Sequence, residues 1–139
     1  MNYKELINAA LESRKMAYVP YSGFAVGAAL LCKDGTIVTG CNIENASYSP
    51  TNCAERTAFF KAVSEGHRDF IAIAIVGDYK HIISPRDYCA PCGVCRQVMV
   101  EFTDEENFNV ILAKNVDDYK TYKLKELLPL SFSNKSLIK

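Results

Sequence analysis

Phe24-Ala25-Val26-Gly27-Ala28-Ala29-Leu30-Leu31-Cys32 is a continuous apolar run, closed by Lys33-Asp34-Gly35. Such a run bounded by a turn signal reads as a buried strand, and the turn leads into a second strand, Thr36 to Cys41. A second apolar run, Phe70 to Val76, is rich in Ile and Ala on both alternating faces, as expected of a strand covered on both sides. Phe108 to Ala113 gives a fourth strand, and Tyr119 to Leu124 a weaker fifth, followed by a turn of helix at 125–128.

Helical patterns lie between these strands. Asn2-x-x-Glu5 resembles a capping box, and Leu6, Ala10, Leu11 and Ala17 supply one apolar face, ended by Pro20 and Gly23. Ser49-Pro50 reads as an N-cap followed by proline at the first helical position, with a helix to about Glu65 stopped by Gly66. Pro91 opens a third helix through Val98, Met99 and Phe102. An antiparallel hairpin followed by alternating strands and helices predicts an α/β fold, a three-layer α-β-α arrangement around a five-stranded mixed sheet. No linker, repeat or low-complexity stretch divides the 139 residues, so 1–139 is read as one domain.

Composition narrows the function. Sixteen Lys+Arg balance sixteen Asp+Glu with no basic run, which argues against a nucleic-acid footprint. The first eighteen residues lack a long apolar core and carry Lys4, Glu5, Glu12, Arg14 and Lys15, so no secretory signal is expected. No stretch approaches transmembrane length. A cytoplasmic protein follows, whose six cysteines are reduced and serve as metal ligands or core residues. Cys32 and Cys41 fall on strands and read as small buried hydrophobes. His67 and His81 sit in polar, loop-like contexts and are read as non-ligands.

The chemistry resides in Cys53-Ala54-Glu55 and Pro91-Cys92-Gly93-Val94-Cys95. Cys92 and Cys95, three apart at a helix start, share one face, and Cys53 falls near another helix start. Helix N-termini favour thiolates. Three thiolates leave a tetrahedral zinc one open position for water, and the adjacent Glu55 can carry its proton. Zinc with three thiolates carries a net negative charge and acidifies water less well than a histidine site. Arg56 is therefore expected to hydrogen-bond a ligand thiolate and restore acidity. Two other readings of these cysteines stand beside this one. Cys92-x-x-Cys95 alone suits a redox dithiol, which leaves Cys53 and Glu55 without a role; with Cys89 the set would close a structural four-cysteine site.

Cys53-Ala54-Glu55-Arg56-Thr57-Ala58, Pro91-Cys92-Gly93-Val94-Cys95-Arg96-Gln97 and Gly40-Cys41-Asn42-Ile43-Glu44-Asn45-Ala46-Ser47-Tyr48 together resemble the small, homotetrameric class of cytidine deaminases. Tyr21-Ser22-x-Phe24-x-Val26-Gly27-Ala28 and Leu127-Leu128-Pro129-x-x-Phe132 match as well, in order, over nearly the whole chain. The resemblance implies one zinc per subunit on Cys53, Cys92 and Cys95, Glu55 as proton shuttle, and cytidine and 2′-deoxycytidine as substrates in pyrimidine salvage. It implies that Asn42 and Glu44 bind the sugar, that Phe24 walls the pocket and Phe132 packs on the base, and that Ala46, Tyr48 and Ala54 complete the substrate site. It also implies a homotetramer with shared active sites, Tyr48 and Phe132 being contributed across subunits. Two stretches depart from the pattern: Asp78 to Ala90 is longer than usual before the Pro-Cys motif, and Pro50-Thr51 is unusual in the approach to Cys53.

Overall fold

The structure is a computed structural model that describes residues 2–137. In chain order it runs α1 (Lys4–Arg14), β1 (Phe24–Cys32), β2 (Ile37–Cys41), α2 (Ala54–Ser64), β3 (Phe70–Tyr79), α3 (Gly93–Phe102), β4 (Asn109–Asn115), β5 (Asp118–Lys123) and α4 (Leu124–Leu127). The five strands form one sheet in the order β2-β1-β3-β4-β5. β1 pairs antiparallel with both β2 and β3, β3 pairs parallel with β4, and β4 pairs antiparallel with β5. The expected mixed sheet is therefore present. Its parallel pair is the one whose connection contains α3, as a crossover between parallel strands requires.

Alternation along the strands sorts two cores. Val26, Ala28 and Leu30 of β1, with Ile73 and Ile75 of β3, join Ala58, Phe59 and Ala62 of α2 and Met99 of α3 on one face. Ala29, Ala72, Ala74 and Val76 meet Leu6, Ile7 and Ala10 of α1 on the other. The three layers follow from this period of two on strands flanked by helices. Two glycines set how closely the layers approach. A Cβ at Gly27 would lie 2.1 Å from the Ala10 carbonyl oxygen, so α1 rests directly on β1. A Cβ at Gly40 would lie 2.5 Å from the Ala54 carbonyl oxygen, which seats the start of α2 on β2.

Helix boundaries differ from expectation at α1, α2 and α3. α1 has Tyr3 at its N-cap without a side-chain cap, while Asn2 Oδ1 accepts from the Lys4 amide at 2.9 Å. It ends at Arg14, before Pro20, because Tyr18 leaves the helix to bridge Ile43: the Tyr18 amide donates to the Asn42 carbonyl and the Glu44 amide to the Tyr18 carbonyl. Ala17 is buried, but beyond the helix. α2 begins at Ala54 rather than at Ser49-Pro50. Asn52 exchanges both backbone hydrogen bonds with Ile43 at 3.0 Å, which holds the chain extended up to Cys53. A pair of tertiary backbone bonds thus overrides a local proline signal. α3 likewise starts at Gly93, with Cys92 as its cap.

The long segment after β3 is strapped down. Arg14 is buried, and its guanidinium donates to the carbonyls of Ala25, Asp78, Tyr79, Ile82 and Ile83. Arg86 pairs with Asp78 at 3.0 Å. Among the described residues no helix is long and apolar enough to cross a membrane.

Candidate active site

Cys53 and Cys92 occupy the N-caps of α2 and α3 in extended conformation, and Cys95 lies in the first turn of α3. Their sulfurs all lie within 4.8 Å of one another, with Cys53–Cys92 at 3.8 Å and Cys92–Cys95 at 3.5 Å. The two thiols 39 and 42 positions from Cys53 reach it because α2 and α3 cover the same sheet face. Two helix N-termini then direct partial positive charge at one cluster. Cys89 does not join them. Its sulfur packs against Gly77, where a Cβ would sit 2.9 Å away, and burial pushes its thiol up to about 12. The four-cysteine alternative is thus not what the fold assembles.

The cluster holds one thiolate ready. A hydrogen bond from Cys95, then Arg56 and Cys92, pull Cys53 down to about 5 against the opposing effect of burial. The same bond with Cys53 and burial push Cys95 upward, the opposite direction to Cys53. Arg56 Nη2 donates to Cys53 Sγ at 3.3 Å, the contact expected of it. Its Nε is buried without a partner, a donor still free in the same guanidinium. Glu55, beside this group, is 4% exposed, and burial pushes its carboxyl up to about 7. It occupies the first turn of α2 and is buried there with Ala54 and Ala58.

A soft, partly deprotonated set of three sulfurs fits zinc. When deprotonated, the sulfurs repel one another and need a cation, and Arg56 supplies only one positive charge. Three protein donors leave a tetrahedral ion open to water, which defines a hydrolytic zinc centre rather than a closed structural one.

The segment 42–44 is held extended between Tyr18 and Asn52, as alternation requires for Asn42 and Glu44 to act together. Both side chains also hold the fold. Asn42 Oδ1 accepts from the Val26 amide at 2.9 Å and Nδ2 donates to the Phe24 carbonyl at 2.8 Å. One lone pair and one N–H remain on that amide. Glu44 Oε1 accepts from the amides of Tyr21 and Ser22 at 3.0 and 3.1 Å, and the Ser22 hydroxyl donates to Oε2. These bonds, the Ser22 hydroxyl first, hold Glu44 below its ordinary value. An open cleft of ≈ 310 Å³ is lined by Tyr21, Ser22, Glu44, Asn45, Tyr48 and Thr51. Tyr21 and Ser22 lie more than twenty positions from Glu44 in the sequence, and only the fold brings them to it.

Phe24 starts β1, edge-on to Tyr79 at 5.6 Å. Ala54 is buried at the start of α2, and Ala46 is exposed beyond the Asn42–Glu44 strip. Tyr48 is 85% and Phe132 62% exposed, so neither aromatic is covered by its own chain. Gln97 Nε2 donates to the Phe132 carbonyl at 2.7 Å and Arg96 Nη1 to the Leu127 carbonyl at 2.9 Å, which ties the C-terminal segment to α3.

Residues 1–111 match a family described as the cytidine and deoxycytidylate deaminase zinc-binding region. The cytidine deaminase of Halalkalibacterium halodurans is 51% identical over 133 residues, 96% of either chain. That of Sporosarcina psychrophila is 50% identical over 137 residues, covering 99% of this chain and 96% of its own. The crystal structure of cytidine deaminase from Burkholderia pseudomallei superposes with a TM-score of 0.84 at 46% identity, over 95% of this chain and all of that one. The chain belongs to the cytidine and deoxycytidylate deaminase family.

Proposed function

We infer that this chain is a zinc-dependent cytidine deaminase, which hydrolyses cytidine and 2′-deoxycytidine to the uridine products and ammonia. The observation that carries the reading is the buried Glu55 carboxyl beside three convergent sulfurs at two helix N-termini. Cys53, Cys92 and Cys95 hold the zinc. When bound, it supplies the Lewis acidity that makes water nucleophilic at neutral pH. Glu55 takes one proton of the attacking water and gives it to N3 of the base, then takes the second from the new C4 hydroxyl and delivers it to the amine as the C4–N bond breaks and the C4 carbonyl forms. A carboxyl near 7 in the metal-free site suits a group that must accept and then donate at neutral pH. Arg56 donates to Cys53 Sγ and adds to what holds that sulfur deprotonated.

Substrate recognition rests on the remaining groups. The free lone pair and N–H of Asn42 and the ionised Glu44 can accept from and donate to a sugar hydroxyl. Glu44 would repel a phosphate nearby, which favours an unphosphorylated nucleoside. Phe24, Ala46 and Ala54 line the base and sugar, and Tyr48 and Phe132 complete the site across subunits of a homotetramer. Both aromatics are left uncovered by their own chain, as residues contributed across subunits would be. Residues 1–139 act as one catalytic domain in the cytoplasm, on a free nucleoside rather than on nucleic acid.

The test is the loss of cytidine ultraviolet absorbance on adding zinc-loaded protein, with Glu55→Gln as control. The variant should keep its zinc and lose on the order of 10³-fold in kcat. Near-normal turnover in Glu55→Gln would remove the proton-shuttle role. No conversion by the fully zinc-loaded wild type would move the reading to another aminopyrimidine substrate.

A further inference from the structure

Cys32, Asp34 and His67 bring a second set of metal-ligating atoms together at the far end of α2 from the thiolate cluster. Cys32 closes β1, Asp34 sits in the β1–β2 turn, and His67 follows the last turn of α2. One ligand atom of each lies within 4.8 Å of the others. His67 Nδ1 stands 3.9 Å from Asp34 Oδ2, too far for a hydrogen bond and spaced as two ligands around an ion can be.

Local structure holds each donor in place. In the hairpin turn, Gly35 takes φ +93°, its amide donates to the Cys32 carbonyl, and the Cys32 amide donates to that of Thr36. Asp34 Oδ1 accepts from the Thr36 amide at 2.9 Å, which orients the carboxylate and leaves Oδ2 toward His67. After α2, Gly66 takes φ +98°, its amide donates to the Val63 carbonyl, and the His67 amide donates to that of Ala62. This is the left-handed closure that ends helices, and it sets the backbone of His67. Arg68 donates to the carbonyls of Val63 and His67, so its guanidinium braces the turn. The site opens on a cleft of ≈ 360 Å³ that Cys32, Asp34 and His67 themselves line.

We propose that Cys32, Asp34 and His67 form a second site for a divalent transition cation of zinc type, separate from the Cys53, Cys92 and Cys95 centre. The donor set is one sulfur, one imidazole nitrogen and one carboxylate oxygen, each an established zinc ligand, and the sulfur disfavours calcium and magnesium. Binding releases the Cys32 thiol proton to solvent and joins thiolate, carboxylate and neutral imidazole to a dication, so the filled site carries no net charge. The trithiolate centre carries net negative charge; this one needs no arginine beside a ligand. The cation staples the β1–β2 turn to the end of the helix whose other end holds Cys53 and Glu55.

The test is a cobalt(II) titration of metal-free, reduced protein, followed by thiolate-to-metal charge-transfer absorption and by metal content after desalting. The wild type should take up a first equivalent at the trithiolate centre and then a second. His67→Ala and Asp34→Asn, at turn positions outside the core, should each lose the second equivalent and keep the first. Saturation of the wild type at one equivalent would overturn the proposal, as would a second equivalent that persists in both variants. The readout is metal uptake, so a failed deamination assay would not bear on it.

Discussion

Replacing Glu55 with Gln should make the metal-free protein more stable at neutral pH, while it abolishes the proton transfer. The folded protein holds this carboxyl at about 7 against an ordinary 4.5, chiefly through burial. Below the ordinary value both folded and unfolded chains are protonated, and no difference arises. Between the two values the unfolded chain releases its proton while the folded one retains it, so stability falls as pH rises, and the loss is complete above about 7. A pKa difference of that size corresponds to about 3 kcal/mol. Glutamine has nearly the same shape and no charge to bury, so the variant escapes the loss. Urea unfolding of both proteins, reduced and stripped of metal, reads this directly. The stability of Glu55→Gln relative to wild type should rise by about 3 kcal/mol between about pH 4 and pH 8, with m unchanged. Metal must be absent because a bound cation resets the local electrostatics. A difference that does not change with pH would refute the claim that the site stores the cost of a buried carboxylate.

Asn42→Ala removes two bonds to β1, to the Val26 amide and the Phe24 carbonyl, and should destabilise by about 2–4 kcal/mol in urea unfolding as well as weaken nucleoside binding. An unchanged midpoint would mean these bonds contribute nothing to the fold. Arg56→Ala should raise the Cys53 pKa in the metal-free protein and slow its alkylation near neutral pH, measured by mass spectrometry of the Cys53 peptide. Gly27→Ala places a Cβ 2.1 Å from the Ala10 carbonyl oxygen, a backbone atom that cannot swing aside. It should cost about 3 kcal/mol or more by forcing α1 off the sheet, and a thermal midpoint equal to wild type would contradict the close packing described.

The two halves of the site differ in how far they could be read before the fold. Cys92-x-x-Cys95 carries its chemistry in spacing, because i and i+3 at a helix start share a face; Cys53-x-Glu55 does so only because an N-cap and a first-turn residue can both converge on an ion lying off the helix end. Arg56 could also be assigned, from the charge that a trithiolate zinc would carry. The resemblance gives Asn42 and Glu44 an expected role at the sugar, but it says nothing of their bonds to β1 and to the Tyr21–Ser22 turn. No local pattern records which distant backbone group a side chain will meet.

Strand number, the hairpin at Lys33-Asp34-Gly35 and the alternation that divides the two cores were determined by the sequence itself, since they follow from periodicity and turn chemistry. Tertiary structure alone decided where α2 begins, because the Ile43–Asn52 pair outweighs the Ser49-Pro50 signal. It alone brought Cys53 to Cys92 and Cys95, and Cys32 to His67, residues that in each case lie more than thirty positions apart. Such meetings depend on which sheet face each helix covers and where each turn closes, and long-range packing sets both.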